Sequence, residues 1–240
     1  TEQNESFDSH GLSIAGTLTF PKNPSPRGIL LMLPGSGQID RDDNSKQLQI
    51  DLFPQLIPHL SREGLSTFRY DKRGVGESEG DFWETGLEDL VDDAKQAVSW
   101  LKTRDDIDSS KVYVLGHSEG ALLAMRVAAE DPSIAGVVLL AGSAKTGEET
   151  IVWQTKKISE SMTGLNRAIV RLLRIDVMKA IRKNLNRIKE TTEDSTRIQG
   201  RKINANWMRE FLKYDPRDAL GKIQSPVLAI TGSNDVQVDP

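Results

Sequence analysis

Five short apolar runs alternate with stretches of helical spacing, and this alternation narrows the fold more than any other feature of the chain. The runs are Ile29 to Leu33, Leu65 to Arg69, Val112 to Leu115, Val137 to Leu140 and Val227 to Ile230. Runs so short and so rich in Leu, Ile and Val read as strands. Between them, Leu48, Leu52, Leu56 and Leu60 mark a first helical pattern. Leu87, Leu90, Val91, Ala94, Val98 and Leu101 mark a second, and Ala121 to Ala129 a third. Strands that alternate with helices are joined by right-handed crossovers, so the expected fold class is α/β with a doubly wound, mostly parallel sheet. Ahead of it, Leu12, Ile14, Gly16, Leu18 and Phe20 alternate up to Pro21 and read as an antiparallel strand.

One interval breaks the rhythm. Residues 144–213 show no strand pattern, while Met178, Ile181, Leu185 and Ile188 repeat at helical spacing. This interval carries 16 Lys+Arg against 8 Asp+Glu, in a chain whose net charge is -4. The expected organisation is a core formed by 1–143 and 214–240, with 144–213 inserted as a helical lid. Its positive charge reads either as solvated helix faces or as a basic cap that attracts anionic substrates.

Composition removes several kinds of chemistry. The chain has no Cys, which excludes disulfides, thiol nucleophiles and Cys-ligated metals. The three histidines, His10, His59 and His117, lack metal-site spacing, so neither a metal nor another cofactor is expected. The near balance of 31 basic and 35 acidic residues points to no nucleic-acid partner, and no apolar run is long enough to span a membrane.

The most specific motif is Gly116-His117-Ser118-Glu119-Gly120, placed between the strand pattern ending at Leu115 and the helical pattern from Ala121. Glycines on either side of a serine permit a turn tight enough to push the hydroxyl out at the carboxyl edge of a sheet. There the helix N-terminus favours developing negative charge.

Three further segments accompany this elbow. Leu33-Pro34-Gly35-Ser36-Gly37-Gln38-Ile39-Asp40-Arg41-Asp42 follows the first parallel strand. Phe68-Arg69-Tyr70-Asp71-Lys72-Arg73-Gly74-Val75-Gly76-Glu77-Ser78 forms a strand and turn. Lys222 to Val238, containing Asp235, forms the last strand and turn. With these the chain resembles the α/β hydrolases, in particular the bacterial esterase, dienelactone-hydrolase-like and serine-aminopeptidase-like branch.

The resemblance and the chemistry of acyl transfer imply the same roles. Ser118 is the expected nucleophile, and the backbone N–H of Glu119, the residue after it, is one oxyanion donor. The second donor is expected from the N–H of Ser36; Gly35 and Gly37, which keep the loop backbone open, and His117, which lines or supports the elbow, are expected to contact the substrate. Asp235 is the expected acid, and Asp239 its weaker competitor. In this family the acid precedes the histidine along the chain, so the base is expected downstream of Asp235. No residue beyond Pro240 is present in the sequence, and the chain reads as trimmed at both ends. The expected activity is cofactor-free hydrolysis of a small-molecule ester through an acyl-enzyme. Amide hydrolysis of the aminopeptidase type and ligand binding without catalysis are the alternatives.

Overall fold

A computed structural model describes residues 1–22, 28–164 and 176–239. At the N-terminus, β1 (Glu2–Ser9) and β2 (Leu12–Thr19) form an antiparallel hairpin, with Glu2 opposite Thr19 and Ser9 opposite Leu12. The strand β1 is an addition to the expected elements. Its sequence is polar apart from Phe7, which is buried, so it carries none of the apolar alternation by which a strand is recognised. His10 and Gly11 make the turn, both at positive φ (53° and 84°), as a two-residue hairpin loop of this hand requires.

The parallel elements follow as β3 (Ile29–Leu33), α1 (Leu52–Arg62), β4 (Ser66–Tyr70), α2 (Leu87–Lys102), β5 (Val112–His117), α3 (Glu119–Glu130) and β6 (Gly136–Leu140). The last strand of the sheet is β9 (Val227–Ile230). The order across the sheet is β1-β2-β4-β3-β5-β6-β9; β2 is antiparallel to both neighbours and every later pairing is parallel. Leu31 and Leu33 pack with α2 and α3 on one face, while Leu30 and Met32 pack on the other with Phe53 and Ile57 of α1. The expected doubly wound sheet is therefore present.

The first helix is shorter than the leucine spacing suggests. Leu48 is 62% exposed and lies outside α1. The Asn44 side-chain oxygen accepts from the N–H groups of both Ile50 and Asp51 at 2.8 Å, which folds this stretch into a loop. A side chain competing for backbone donors in this way ends helical propagation.

The interval after β6 holds α4 (Gly147–Ser161), α5 (Val177–Glu190), β7 (Ser195–Ile198), β8 (Arg201–Asn204) and α6 (Ala205–Lys213), followed by α7 (Pro216–Leu220). Leu185 and Ile188 of α5 pack with Leu212 of α6 and Ile151 of α4. The antiparallel pair β7–β8 corrects the expectation that this interval contains no strand. Its signal was Thr196, Ile198 and Ile203 flanking Gln199-Gly200, and both turn residues take positive φ (51° and 81°). No helix among the described residues is long and apolar enough to cross a membrane.

A buried ion pair ties the N-terminal hairpin to the parallel core. The Asp93 carboxylate on α2 accepts from Arg73 Nε at 2.8 Å and from Ser9 Oγ at 2.5 Å. Burial pushes this carboxyl group above the usual range, against the pull of Arg73 and Ser9. Asp93→Ala would leave Arg73 with only the half-exposed Asp89 as counter-charge. The expected cost is about 3 kcal/mol, the lower part of the range for breaking a buried pair, measured as a shift in the urea midpoint.

Candidate active site

Strand order places the site. Chain order reverses at β3, which has β4 on one side and β5 on the other, and such a reversal opens a crevice at the carboxyl ends of the strands. Leu33 at the end of β3 lies opposite Gly116 of β5. The loop after Leu33 and the turn after His117 therefore emerge side by side.

Ser118 is the single residue between β5 and α3, at φ 54° and ψ -111°. A non-glycine residue in that region is strained and persists only where its surroundings enforce it. Here the enforcement is steric. A Cβ on Gly116 would lie 2.0 Å from the Gly120 carbonyl oxygen, and one on Gly120 would lie 2.1 Å from the Leu33 carbonyl oxygen. The Ser118 N–H donates to the Leu140 carbonyl at 2.9 Å, anchoring the turn to β6.

Ser36, Gly37, Ser118 and Glu119 share one cavity of about 590 Å³. The Glu119 N–H belongs to the first turn of α3, where backbone donors lack intrahelical partners. Across from it, the loop of Gly35 to Gly37 is held from below. Asp43 Oδ1 accepts from the Gly35 N–H at 2.7 Å, and Lys72 Nζ donates a short hydrogen bond to the Gly35 carbonyl. Lys72 Nζ also lies 2.5 Å from Glu119 Oε1, in an ion pair whose side chains are each 2% exposed. Burial pushes the Glu119 carboxyl group up; the Lys72 ammonium opposes this most strongly, and the Trp207 indole adds to it.

Gly37 lines the cavity, whereas Gly35 and His117 are not among its lining residues. His117 Nδ1 is 2.6 Å from Asp43 Oδ2, so the same buried aspartate holds both the Gly35 backbone and the histidine beside the elbow. The Asp235 carboxylate accepts from the N–H groups of Gln237 and Val238 at 2.7 and 3.0 Å, closing the turn after β9. Val238, not Asp235, is the cavity-lining residue of that turn. Asp239 pairs with Lys145. His10 faces Asp92 at 3.8 Å, and His59 meets Arg62 at 2.6 Å on the exposed side of α1. Neither His10, His59 nor His117 lines the cavity.

The cavity walls are largely apolar. Phe82, Trp83, Ile151, Trp207 and Phe211 line it, and the Lys202 ammonium lies 4.5 Å from the centre of the Trp83 ring. Ile151, Lys202, Trp207 and Phe211 all come from the interval between β6 and α7. Among the functional groups, the sequence reading missed Asp43, the pairing of Lys72 with Glu119, and Trp207. The lysine and glutamate lie inside quoted motifs, but 46 residues separate them and nothing local pairs them.

Comparison with known proteins identifies the family and the fold. Residues 49–240 match the family model described as serine aminopeptidase, S33. Esterase EstD of Thermotoga maritima is 31% identical over 237 residues, covering 98% of this chain and 53% of its own length. The chain thus spans about half the length of that relative. An uncharacterized 31.7 kDa protein of Escherichia coli is 22% identical over 196 residues, covering 77% of this chain and 67% of its own. Among solved structures, Est1E from Butyrivibrio proteoclasticus with ferulic acid bound superposes with a TM-score of 0.65 at 22% identity, covering 98% of this chain and 80% of that one. The α/β hydrolase GrgF from Penicillium gives 0.67 at 17% identity, covering 99% and 82%.

The elbow geometry has a direct consequence. Gly116→Ala forces its Cβ against backbone that cannot yield cheaply, and is expected to destabilise the fold by about 3 kcal/mol, the upper part of the overpacking range. Gly37→Ala meets open space but must hold φ 98°, and is expected to cost about 1 kcal/mol. Chemical denaturation of the two variants side by side checks the order.

Proposed function

Because the chain belongs to the S33 serine aminopeptidase family of α/β hydrolases, we propose that it hydrolyses carboxylic esters through an acyl-enzyme formed on Ser118. The observation that carries this reading is the strained Ser118 turn opening into a cavity that it shares with Ser36 and Glu119. Ser118 Oγ attacks the ester carbonyl carbon while a base takes its proton. The carbonyl oxygen becomes an oxyanion held by the N–H groups of Glu119 and Ser36. Collapse breaks the bond to the alkoxide, which leaves with the proton returned by the base. Water then repeats the sequence on the acyl-enzyme and releases the acid.

In this reading Asp235 orients a histidine that lies outside these 240 residues. His117 is unsuited to be the base, because it adjoins Ser118 on the sharp turn, where neighbouring side chains diverge, and it does not line the cavity. The interval 144–213 acts as a lid, supplying Trp207, Phe211 and Ile151 as an apolar wall for the acyl or alcohol group. Lys202 at the Trp83 ring is the lid cation placed to meet an acidic substituent. No metal or organic cofactor enters any step.

The family description favours a second reading, amide hydrolysis by the same groups. The full-length gene product assayed on p-nitrophenyl esters beside aminoacyl anilides separates the two, and faster anilide turnover would overturn the ester preference. A fluorophosphonate is expected to add once to the native protein and not at all to Ser118→Ala. The same variant is expected to lose at least about 10³-fold in kcat on esters. Unchanged activity in Ser118→Ala would instead assign the protein to ligand binding or to another centre.

A further inference from the structure

The peptide joining Gly35 to Ser36 is gripped on one side only. A trans peptide is planar, so the carbonyl of Gly35 and the N–H of Ser36 point in opposite directions. The carbonyl receives the short hydrogen bond from Lys72 Nζ, which also reaches the Gly37 carbonyl at 3.4 Å. This turns the Ser36 N–H away from the lysine, on a residue that is exposed and lines the cavity with Ser118. No acceptor among the described residues takes that N–H. Lys72 in turn is fixed by Glu119, whose own backbone N–H sits at the free end of α3.

From this geometry we infer that Lys72 is a positioning residue for the oxyanion site: through its bond to the Gly35 carbonyl and its ion pair with Glu119, it sets the separation and direction of the two N–H donors. The inference rests on the hydrolase reading and goes beyond it, because it gives two side chains that are each 2% exposed a part in aiming the donors. One residue, Glu119, would act twice, its backbone as donor and its carboxylate as the anchor of the lysine that aims the other donor. Asp43 fixes the N–H of the preceding peptide, Pro34–Gly35, while Lys72 holds the tilt of the Gly35–Ser36 peptide through its carbonyl.

A purely structural pair and a positioning pair respond differently to replacement by isosteric apolar residues. Lys72→Met alone strands the Glu119 carboxylate in the interior. The double variant Lys72→Met, Glu119→Met removes both charges, keeps the backbone N–H at position 119, and is expected to fold as stably as the native protein. In the full-length protein the double variant is expected to lose about 10- to 100-fold in kcat, the range a misaimed group produces. KM should stay within about threefold, since ground-state binding does not use the oxyanion donors. The rate of Ser118 phosphonylation by a fluorophosphonate, whose phosphoryl oxygen needs the same donors, should fall in parallel.

A folded double variant with native kcat and native labelling rate overturns the inference, as does a loss carried entirely by KM. A double variant that does not fold assigns the pair to stability and overturns it as well. Absence of labelling in the native protein is a different result, since it removes the hydrolase reading itself.

Discussion

The carbonyl oxygen of Leu33 sits where a side chain at position 120 would have to go, 2.1 Å from its Cβ, and that close approach organises the carboxyl edge of the sheet. It allows α3 to start against the end of β3, which requires glycine at 120. The same crowding requires glycine at 116, and the residue between must take the left-handed turn that Ser118 occupies at φ 54°. A parallel sheet whose order reverses at β3 supplies the neighbours: β5 brings the serine, the loop after β3 brings Ser36 and Gly37, and β6 anchors the turn through Leu140. The strain in Ser118 is offset by the packing around it and by the bond its N–H makes to the Leu140 carbonyl.

Much of this was legible in the sequence because the signals are local. The strands β3, β5 and β9 begin where the apolar runs begin, and α2 spans all six of its marked apolar positions, Leu87 to Leu101. The glycines at 116 and 120 could be read as obligatory because a five-residue turn carries its own steric logic. Leu48 misled for an equally local reason. Its spacing continues the α1 pattern, but Asn44 takes the two N–H groups at 50 and 51, and the helix begins after them. Similarly, β1 is held by its partner, with Phe7 as its one apolar anchor against Phe68 and Tyr70.

What the sequence left dark is long-range pairing of charges. Lys72 and Arg73 are adjacent and look alike in the motif, yet the first points to Glu119 beneath the cavity and the second to Asp93 beside β1. No composition or spacing rule separates them, since burial decides the partner and burial is a property of the assembled layers. The hairpin β7–β8 was hidden differently. Its strands are four residues each, too short for periodicity to register, and Gln199 is not a residue that announces a left-handed turn.

The Lys72–Glu119 and Arg73–Asp93 pairs also differ in what they can be for. Replacing a buried pair by apolar residues of similar volume is commonly neutral or stabilising, so net stability does not explain either of them. The Arg73–Asp93 pair joins α2 to the turn after β4 and, through Ser9, to the N-terminal hairpin, so specification of the fold accounts for it. The Lys72–Glu119 pair joins the carbonyls of Gly35 and Gly37 to the first turn of α3, at the edge of the cavity. Beside it, the Trp207 indole N–H from α6 approaches closely enough to favour the charged carboxylate. Yet that N–H and Glu119 Oε2 are both buried without a hydrogen-bond partner among the described residues. This contact lies where α6 meets the cavity, beside the first turn of α3 and the lysine that holds the carbonyls of Gly35 and Gly37.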